Sequence, residues 1–330
     1  MNNRKNRHFL VTGGTGFLGA ALVNRLVARG DKVTVFDNNW RGSTGRLSAV
    51  IDSVNFIEGD IRDVESVTRA CEGVDSVIHM AFVNGTRFFY EQPELVLDVG
   101  IRGMLNVIGA CRAQGVRDLV VASSSEVYQT PPDVPTDESA PMSIPDPRNP
   151  RYSYAGGKIL SELIAFNYGK TGFDRVCVFR PHNVYGPDMG WEHVIPEFSV
   201  RASRAVESHS DGPVEFVIQG SGAQTRAFIH VDDFTDGLLV IVDKGEHMGL
   251  YHIGNPEEIS IGDLAKMVVG CFGQDAEIKF SDEPGGATQR RCPDITKLRS
   301  LGFEPLTPLE KGLPSVVDWY AEHRSQAPSS

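Results

Sequence analysis

Short apolar runs alternate with stretches of helical spacing through the first half of the chain. HFLVTG, starting at His8, is an apolar run that stops at glycines, the pattern of a buried strand. FLGAALVNRLVARG puts Leu18, Leu22 and Leu26 on one helical face and ends at Gly30, which suits the turn past a helix. KVTVFDN, NFIEGD, DSVIHMA, DLVVASSS and RVCVFRP read as further strands, with helices predicted around 64–71, 95–114 and 158–170. Alternation at roughly 20- to 30-residue spacing predicts a parallel, doubly wound α/β sheet. The stretch 130–151, rich in Pro, Asp and Ser, reads as a long loop. After Pro181 the pattern loosens into short strands, turns and helices, read as a smaller C-terminal α/β region beside the sheet. The expected division is 1–180 for the main sheet and 181–330 for the smaller region, with some of its segments returning to the sheet. The final SQAPSS is expected to be disordered.

The first strand runs into Gly13-Gly14-Thr15-Gly16-Phe17-Leu18-Gly19 and then a helix, the context a dinucleotide fingerprint requires. Gly13 permits the tight turn, Gly16 lets backbone approach a pyrophosphate, and Gly19 lets the helix pack closely. The N–H groups at the helix start, near Phe17 and Leu18, then face the phosphates. Asp37, at the end of the second strand and 21 residues after Gly16, suits the two ribose hydroxyls of NAD and repels the 2′-phosphate of NADP. Arg41 and Arg46, just beyond, argue the other way; the strand-end carboxylate decides for NAD. Asn38, Asp60, Ile61 and Ala81 follow strand ends and complete the expected Rossmann cofactor site. Asp60 can bond an adenine amino group or simply cap a helix.

Tyr154 and Lys158 lie four residues apart on one helical face. A nearby ammonium and an oxidised nicotinamide would both stabilise a phenolate. The phenolate could take a proton from a substrate hydroxyl as hydride leaves. YxxxK alone also describes ordinary surface pairs. Ser123-Ser124-Ser125-Glu126-Val127-Tyr128, however, follows the strand DLVVA at the ligand-binding end of such a sheet. A Ser124 hydroxyl there can share the proton with Tyr154.

TGGTGFLG, the Asp37 strand end, GDIRD, VIHMA, SSSEVY, YxxxK and RPHNVYGP together resemble, in order and spacing, the extended short-chain dehydrogenase/reductase family, in its NAD-dependent nucleotide-sugar epimerase/dehydratase group. The resemblance runs to the late RRCPDITKLRSLGFEP segment. It implies Ser124, Tyr154 and Lys158 as catalytic residues, with Ser125, Asn183, Arg226 and Arg291 on the substrate side. It implies oxidation at sugar C4 to a 4-keto intermediate, and a homodimer through the helices at 95–114 and around Tyr154. Glu126 discriminates among reactions. Simple 4-epimerases usually have a small or hydroxyl residue there, whereas dehydratases and UDP-glucuronate decarboxylases carry Ser/Thr-x-Glu-Val-Tyr. A carboxylate there can act as a base at C5, and RRCPD leans toward the decarboxylase alternative. Three departures stand out: the segment Val99-Gly100-Ile101-Arg102-Gly103 lacks an Asn that the family often has before it, Phe82 replaces a second alanine, and Gln129 replaces the common Gly. A non-catalytic NAD-binding regulator on the same fold would commonly have lost Tyr154 or Lys158. A net ketosugar reductase is a third reading, and would need exchangeable cofactor.

Composition narrows this further. A net charge of −11 argues against a broad nucleic-acid surface. Five scattered cysteines with no CxxC pair, no long apolar span and no signal-like N-terminus point to a soluble, cytoplasmic protein without membrane association. The histidines show no metal-ligand spacing, so no metal is expected. His182 and His193 are candidates to line the substrate pocket. Cys292, beside two arginines, is a candidate for a lowered thiol pKa.

Overall fold

The computed structural model describes residues 6–209, 211–282 and 289–328. Strands β1 (His8–Thr12), β2 (Lys32–Asp37), β3 (Val54–Glu58), β4 (Ser76–His79), β5 (Asp118–Ala122) and β6 (Arg175–Pro181) alternate with helices α1 (Phe17–Ala28), α2 (Val64–Ala70), α3 (Thr86–Glu91), α4 (Pro93–Leu97), α5 (Gly103–Gln114) and α6 (Ser153–Gly169). The remaining strands are β7 (Val184–Tyr185), β8 (Val214–Gln219), β9 (Thr225–Ala227), β10 (Ile229–His230), β11 (Gly249–Ile253), β12 (Glu258–Ser260), β13 (Ala276–Ser281) and β14 (Arg290–Arg291). The later helices are α7 (Val194–Ser208), α8 (Val231–Lys244), α9 (Ile261–Gly270), α10 (Thr296–Ser300) and α11 (Leu309–Glu322).

Seven parallel strands form the central sheet in the order β11-β6-β5-β4-β1-β2-β3. The apolar runs are continuous because both faces of the sheet are covered. Phe9 and Val11 pack toward α1 and α8, while Leu10 between them packs toward α2 and α5. The order reverses between β1 and β4, which opens a crevice at their carboxyl ends. A second core joins α7, β8, α9 and α11. Among the described residues no helix is long and apolar enough to cross a membrane.

Two expectations change. The helix at 95–114 is interrupted by a five-residue π turn, Asp98–Arg102. A Cβ at Gly100 would overlap the Phe82 ring and one at Gly103 the Ile61 side chain, so neighbouring side chains fill both glycine gaps. The tail expected to be disordered begins in a 3-10 turn, Arg324–Gln326, where Arg324 bonds Glu207 and Ser203 on α7. Its last two residues lie outside the described residues.

A buried polar layer ties the sheet to α6. Arg180 donates to both carboxylate oxygens of Glu162 at 2.8 and 2.7 Å, and each side chain is only 2% exposed. Ser123 donates to the same carboxylate, and Arg180 also donates to the Tyr128 hydroxyl. His252 Nδ1 lies 3.0 Å from the Asp294 carbonyl, which can only accept, so Nε2 accepts from Tyr128 at 2.5 Å. That tautomer is neutral, and burial pushes His252 down to about 4. Burial likewise pushes His79 down to about 3, and holds His182 well below its usual range.

Replacing one member of the buried pair strands the other charge out of water. Glu162→Gln or Arg180→Met is therefore expected to cost about 3–5 kcal/mol in urea unfolding, with the Arg180→Met/Glu162→Leu double variant recovering most of it. The histidines set an acid limit. Each has a folded pKa below its unfolded value, so the unfolded chain binds more protons and stability falls as pH drops below about 6.5. Each contributes at most about 1.4 kcal/mol per pH unit until its folded pKa is reached. His182→Phe, which removes a ring with neither nitrogen bonded among the described residues, should flatten that slope between pH 6.5 and 5. An unchanged slope would show that His182 binds its proton equally in the folded and unfolded chain.

Candidate active site

The crevice at the reversal point is lined by Gly13, Gly16, Asp37, Asn38, Asp60, Ile61, Ala81 and Phe82, among others. Gly13 sits at φ +74°, and a Cβ there would lie 2.7 Å from Ala81 N. A Cβ on Gly19 would overlap the Gly13 carbonyl, so these glycines set how closely loop, helix and β4 approach. Gly16 precedes α1 and supplies no side-chain cap. Its helix start therefore presents N–H groups without a competing side-chain acceptor. A glycine cradle, an uncapped helix start and a strand-end carboxylate fit a dinucleotide.

Asp37 accepts from Thr15 N at 3.0 Å and Asn39 N at 2.9 Å, so the carboxylate also braces the glycine loop. Asn38 donates to Asp60 at 3.3 Å. Asp60 is paired with Arg62 at 2.7 Å, which holds its carboxyl below the usual range. It is not the cap of α2; Asp63 fills that place. Phe17 packs at Gly186 and Leu18 against the core, and both side chains are partly buried. Arg46 is engaged by Asp188 at 2.7 and 2.9 Å, and Arg41 donates to the Asn84 carbonyl. The two cations that argued for NADP thus have protein partners.

Tyr154 and Lys158 both face inward from α6 and are buried. The Ser124 side chain lies close enough to the Tyr154 hydroxyl to favour its phenolate. Ser124 also caps its turn by accepting from Glu126 N at 3.2 Å. Tyr154 stacks on Phe89 at 4.9 Å and meets Phe82 edge-on at 5.2 Å. Lys158 Nζ donates to the Ala122 carbonyl at 2.8 Å and lies 5.8 Å from the Tyr154 ring centre. The expected lowering of the phenol is not present in the protein alone. Burial drives Tyr154 well above its ordinary range, against the opposing influence of Ser124, and drives Lys158 down to about 7, against the pull of Glu162.

Across from Tyr154, Glu126 is ion-paired with Arg291. Arg226 and Arg291 come together because β9 and β14 pair in parallel with these two residues in register. Burial opposes ionisation of Glu126, but Arg291, Arg151 and Arg226 outweigh it and hold the carboxyl below its usual range. Burial and the neighbouring Arg291 push Arg226 down to about 10. Arg151, at the end of the long loop, was not singled out in the sequence; an arginine three residues before Tyr154 was the available signal. The aromatic wall of Phe82 and Phe89 also went unread, because α3 is too short to show a period.

Other candidates have different surroundings. Asn183, at φ +35°, donates to the Ala227 carbonyl at 3.1 Å and braces the strand that carries Arg226. Ser125 is buried beneath the turn. His182 lies inside the polar layer, 4.6 Å from His252, and His193 stands with Glu192 beside Arg41. Cys292 is buried and bonds the Pro256 carbonyl; burial pushes its thiol up to about 11, opposite to the lowering expected from its arginine neighbours. Gln129, at φ +54°, occupies backbone that favours the family's glycine, and its side chain donates to the Glu126 carbonyl at 2.6 Å. Among the described residues no metal-ligand cluster occurs.

Comparison with known proteins agrees with this geometry. Residues 9–254 match the family model described as NAD dependent epimerase/dehydratase family. The chain is 31% identical over 323 residues to UDP-glucuronic acid decarboxylase 1 of Xenopus tropicalis, covering 97% of this chain and 73% of that protein. It is 32% identical over 331 residues to the dTDP-4-dehydro-6-deoxy-D-allose reductase of Streptomyces bikiniensis, covering 96% and 97%. A solved dTDP-glucose 4,6-dehydratase from Streptomyces venezuelae with NAD bound superposes with a TM-score of 0.83 at 29% identity, covering 97% of this chain and 99% of that one. The chain is an enzyme of the extended short-chain dehydrogenase/reductase type and belongs to the NAD-dependent epimerase/dehydratase family.

Proposed function

We propose that this enzyme converts a nucleotide-diphosphate sugar through transient oxidation at C4, acting as an epimerase or dehydratase on a neutral sugar. The observation that carries this reading is the buried Tyr154 with Lys158 beside its ring, close to both Ser124 and the Glu126–Arg291 pair. Bound NAD supplies the acceptor, and later the donor, of a hydride. Asp37 would hold the ribose hydroxyls and would exclude a 2′-phosphate. Ser124 and Tyr154 share the proton of the sugar hydroxyl, and Lys158 steadies the charge on Tyr154. Arg226 and Arg291 receive the diphosphate, with Asn183 holding the Arg226 strand in place. Glu126 is then the base for a proton beside the new ketone. As the diphosphate draws Arg291, the carboxylate loses its partner and gains basicity.

Charge balance supports a neutral sugar. Arg151, Arg226 and Arg291 act on Glu126, which leaves two surplus positive charges, the number a diphosphate carries at neutral pH. A uronate would add a third negative charge beside Glu126. Decarboxylation is the second reading, favoured by Arg291 standing next to Glu126 and by the similarity to UDP-glucuronic acid decarboxylases.

The reading also takes the protein to be a cytoplasmic homodimer. All five cysteines are free, and α5 and α6 expose Leu105, Leu160, Leu163 and Tyr168. Sedimentation should give a dimer that Leu163→Glu dissociates; a monomeric wild type refutes the dimer.

Incubation with UDP-, dTDP-, GDP- and CDP-sugars, followed by mass and NMR analysis, identifies the reaction. Tyr154→Phe is expected to lower turnover at least about a hundredfold while NAD still binds. Glu126→Gln should retain C4 oxidation and lose solvent-deuterium incorporation at C5. Carbon dioxide release from UDP-glucuronate would install the second reading. Wild-type turnover without deuterium incorporation would leave a simple 4-epimerase.

A further inference from the structure

Two of the chain's departures from its family meet in space. Phe82 follows β4, Gly100 lies in the π turn, and the two residues occupy complementary volumes. A Cβ on Gly100 would overlap the tip of the Phe82 ring, and a Cβ on Gly157 would stand 2.9 Å from Cζ of the same ring. The ring therefore sits in a slot that only missing side chains on the π turn and α6 leave open. Lys158 Nζ lies over its face, 4.0 Å from the centre. Tyr154 packs edge-on against the ring at 5.2 Å. Lys158 is 3% exposed, and the Ala122 carbonyl takes one of its three ammonium hydrogens at 2.8 Å. An ammonium removed from water is attracted to the negative face of an aromatic ring.

We propose that Phe82 is a positioning residue for the Tyr154–Lys158 pair: seated in the slot left by Gly100 and Gly157, its ring holds Lys158 as an ammonium and fixes that cation beside Tyr154. The catalytic meaning rests on the acid–base reading given above; the contact itself does not. The slot also explains why a larger residue at Gly100 is incompatible with this chain unless Phe82 changes with it.

The test uses the full-length protein labelled with 13Cε-lysine, with Lys158→Met identifying the Lys158 resonance. Phe82→Leu keeps an apolar side chain and removes the aromatic face. It is expected to move the Lys158 titration to lower pH by about one unit, a tenfold change in the protonation equilibrium. Gly100→Ala is expected to lower the thermal midpoint in the parent and to be tolerated in the Phe82→Leu background. A folded Phe82→Leu variant whose Lys158 titrates at an unchanged or higher pH overturns the proposal. So does a Gly100→Ala penalty of equal size in both backgrounds. Neither readout depends on turnover, so wild-type activity in Tyr154→Phe would refute the acid–base reading and leave this result to stand on its own.

Discussion

The bidentate pair between Arg180 and Glu162 is the interaction on which the arrangement of the active site depends. Neither charge reaches water, so each requires the other in place. The pair joins β6 to α6, and Ser123 and Tyr128 bring in the segment after β5. Tyr154 and Lys158 belong to that helix and Ser124 to that segment. Hydrogen bonds of fixed direction thus set their relative positions, which apolar packing alone would leave looser. The same layer runs on through His252 to Asp294, next to the strand that carries Arg291. Its cost is sensitivity to acid, because the histidines within it are held neutral.

The cofactor half of the site was legible because its information is local. Gly13, Gly16, Gly19 and Asp37 lie within one strand–helix–strand unit, and their spacing alone fixes where they meet. The Tyr154–Lys158 spacing was legible for the same reason. The substrate half was not. Arg226 and Arg291, 65 positions apart in the chain, are brought together by strand register, and Glu126 joins them from a third segment. The resemblance supplied these residues, but not their ion pair. Cys292 was misread because neighbouring arginines in sequence say nothing of burial. The π turn was missed because it depends on Phe82 and Ile61, side chains from other segments.

The departures from the family pattern are now of two kinds. Gln129 holds glycine-like backbone and offsets part of that strain with a hydrogen bond to the Glu126 carbonyl. Phe82 and Gly100 are matched in volume, the ring occupying the space that a side chain on Gly100 would need. In space they account for one another, and they alter what surrounds Lys158 rather than remove it.

Burial acts on Tyr154 and Lys158 in opposite directions, and both shifts work against a phenolate beside an ammonium. In the protein alone the proton therefore stays on Tyr154 while Lys158 titrates near neutrality. Ser124 and the Phe82 ring each push back, the first toward the phenolate and the second toward the ammonium. Neither adds a net charge, and of the three arginines that act on Glu126 only one is balanced by it. An oxidised cofactor in the crevice would add the missing positive charge. On the acid–base role proposed for Tyr154 and Lys158, proton removal would then be conditional on the presence of a hydride acceptor.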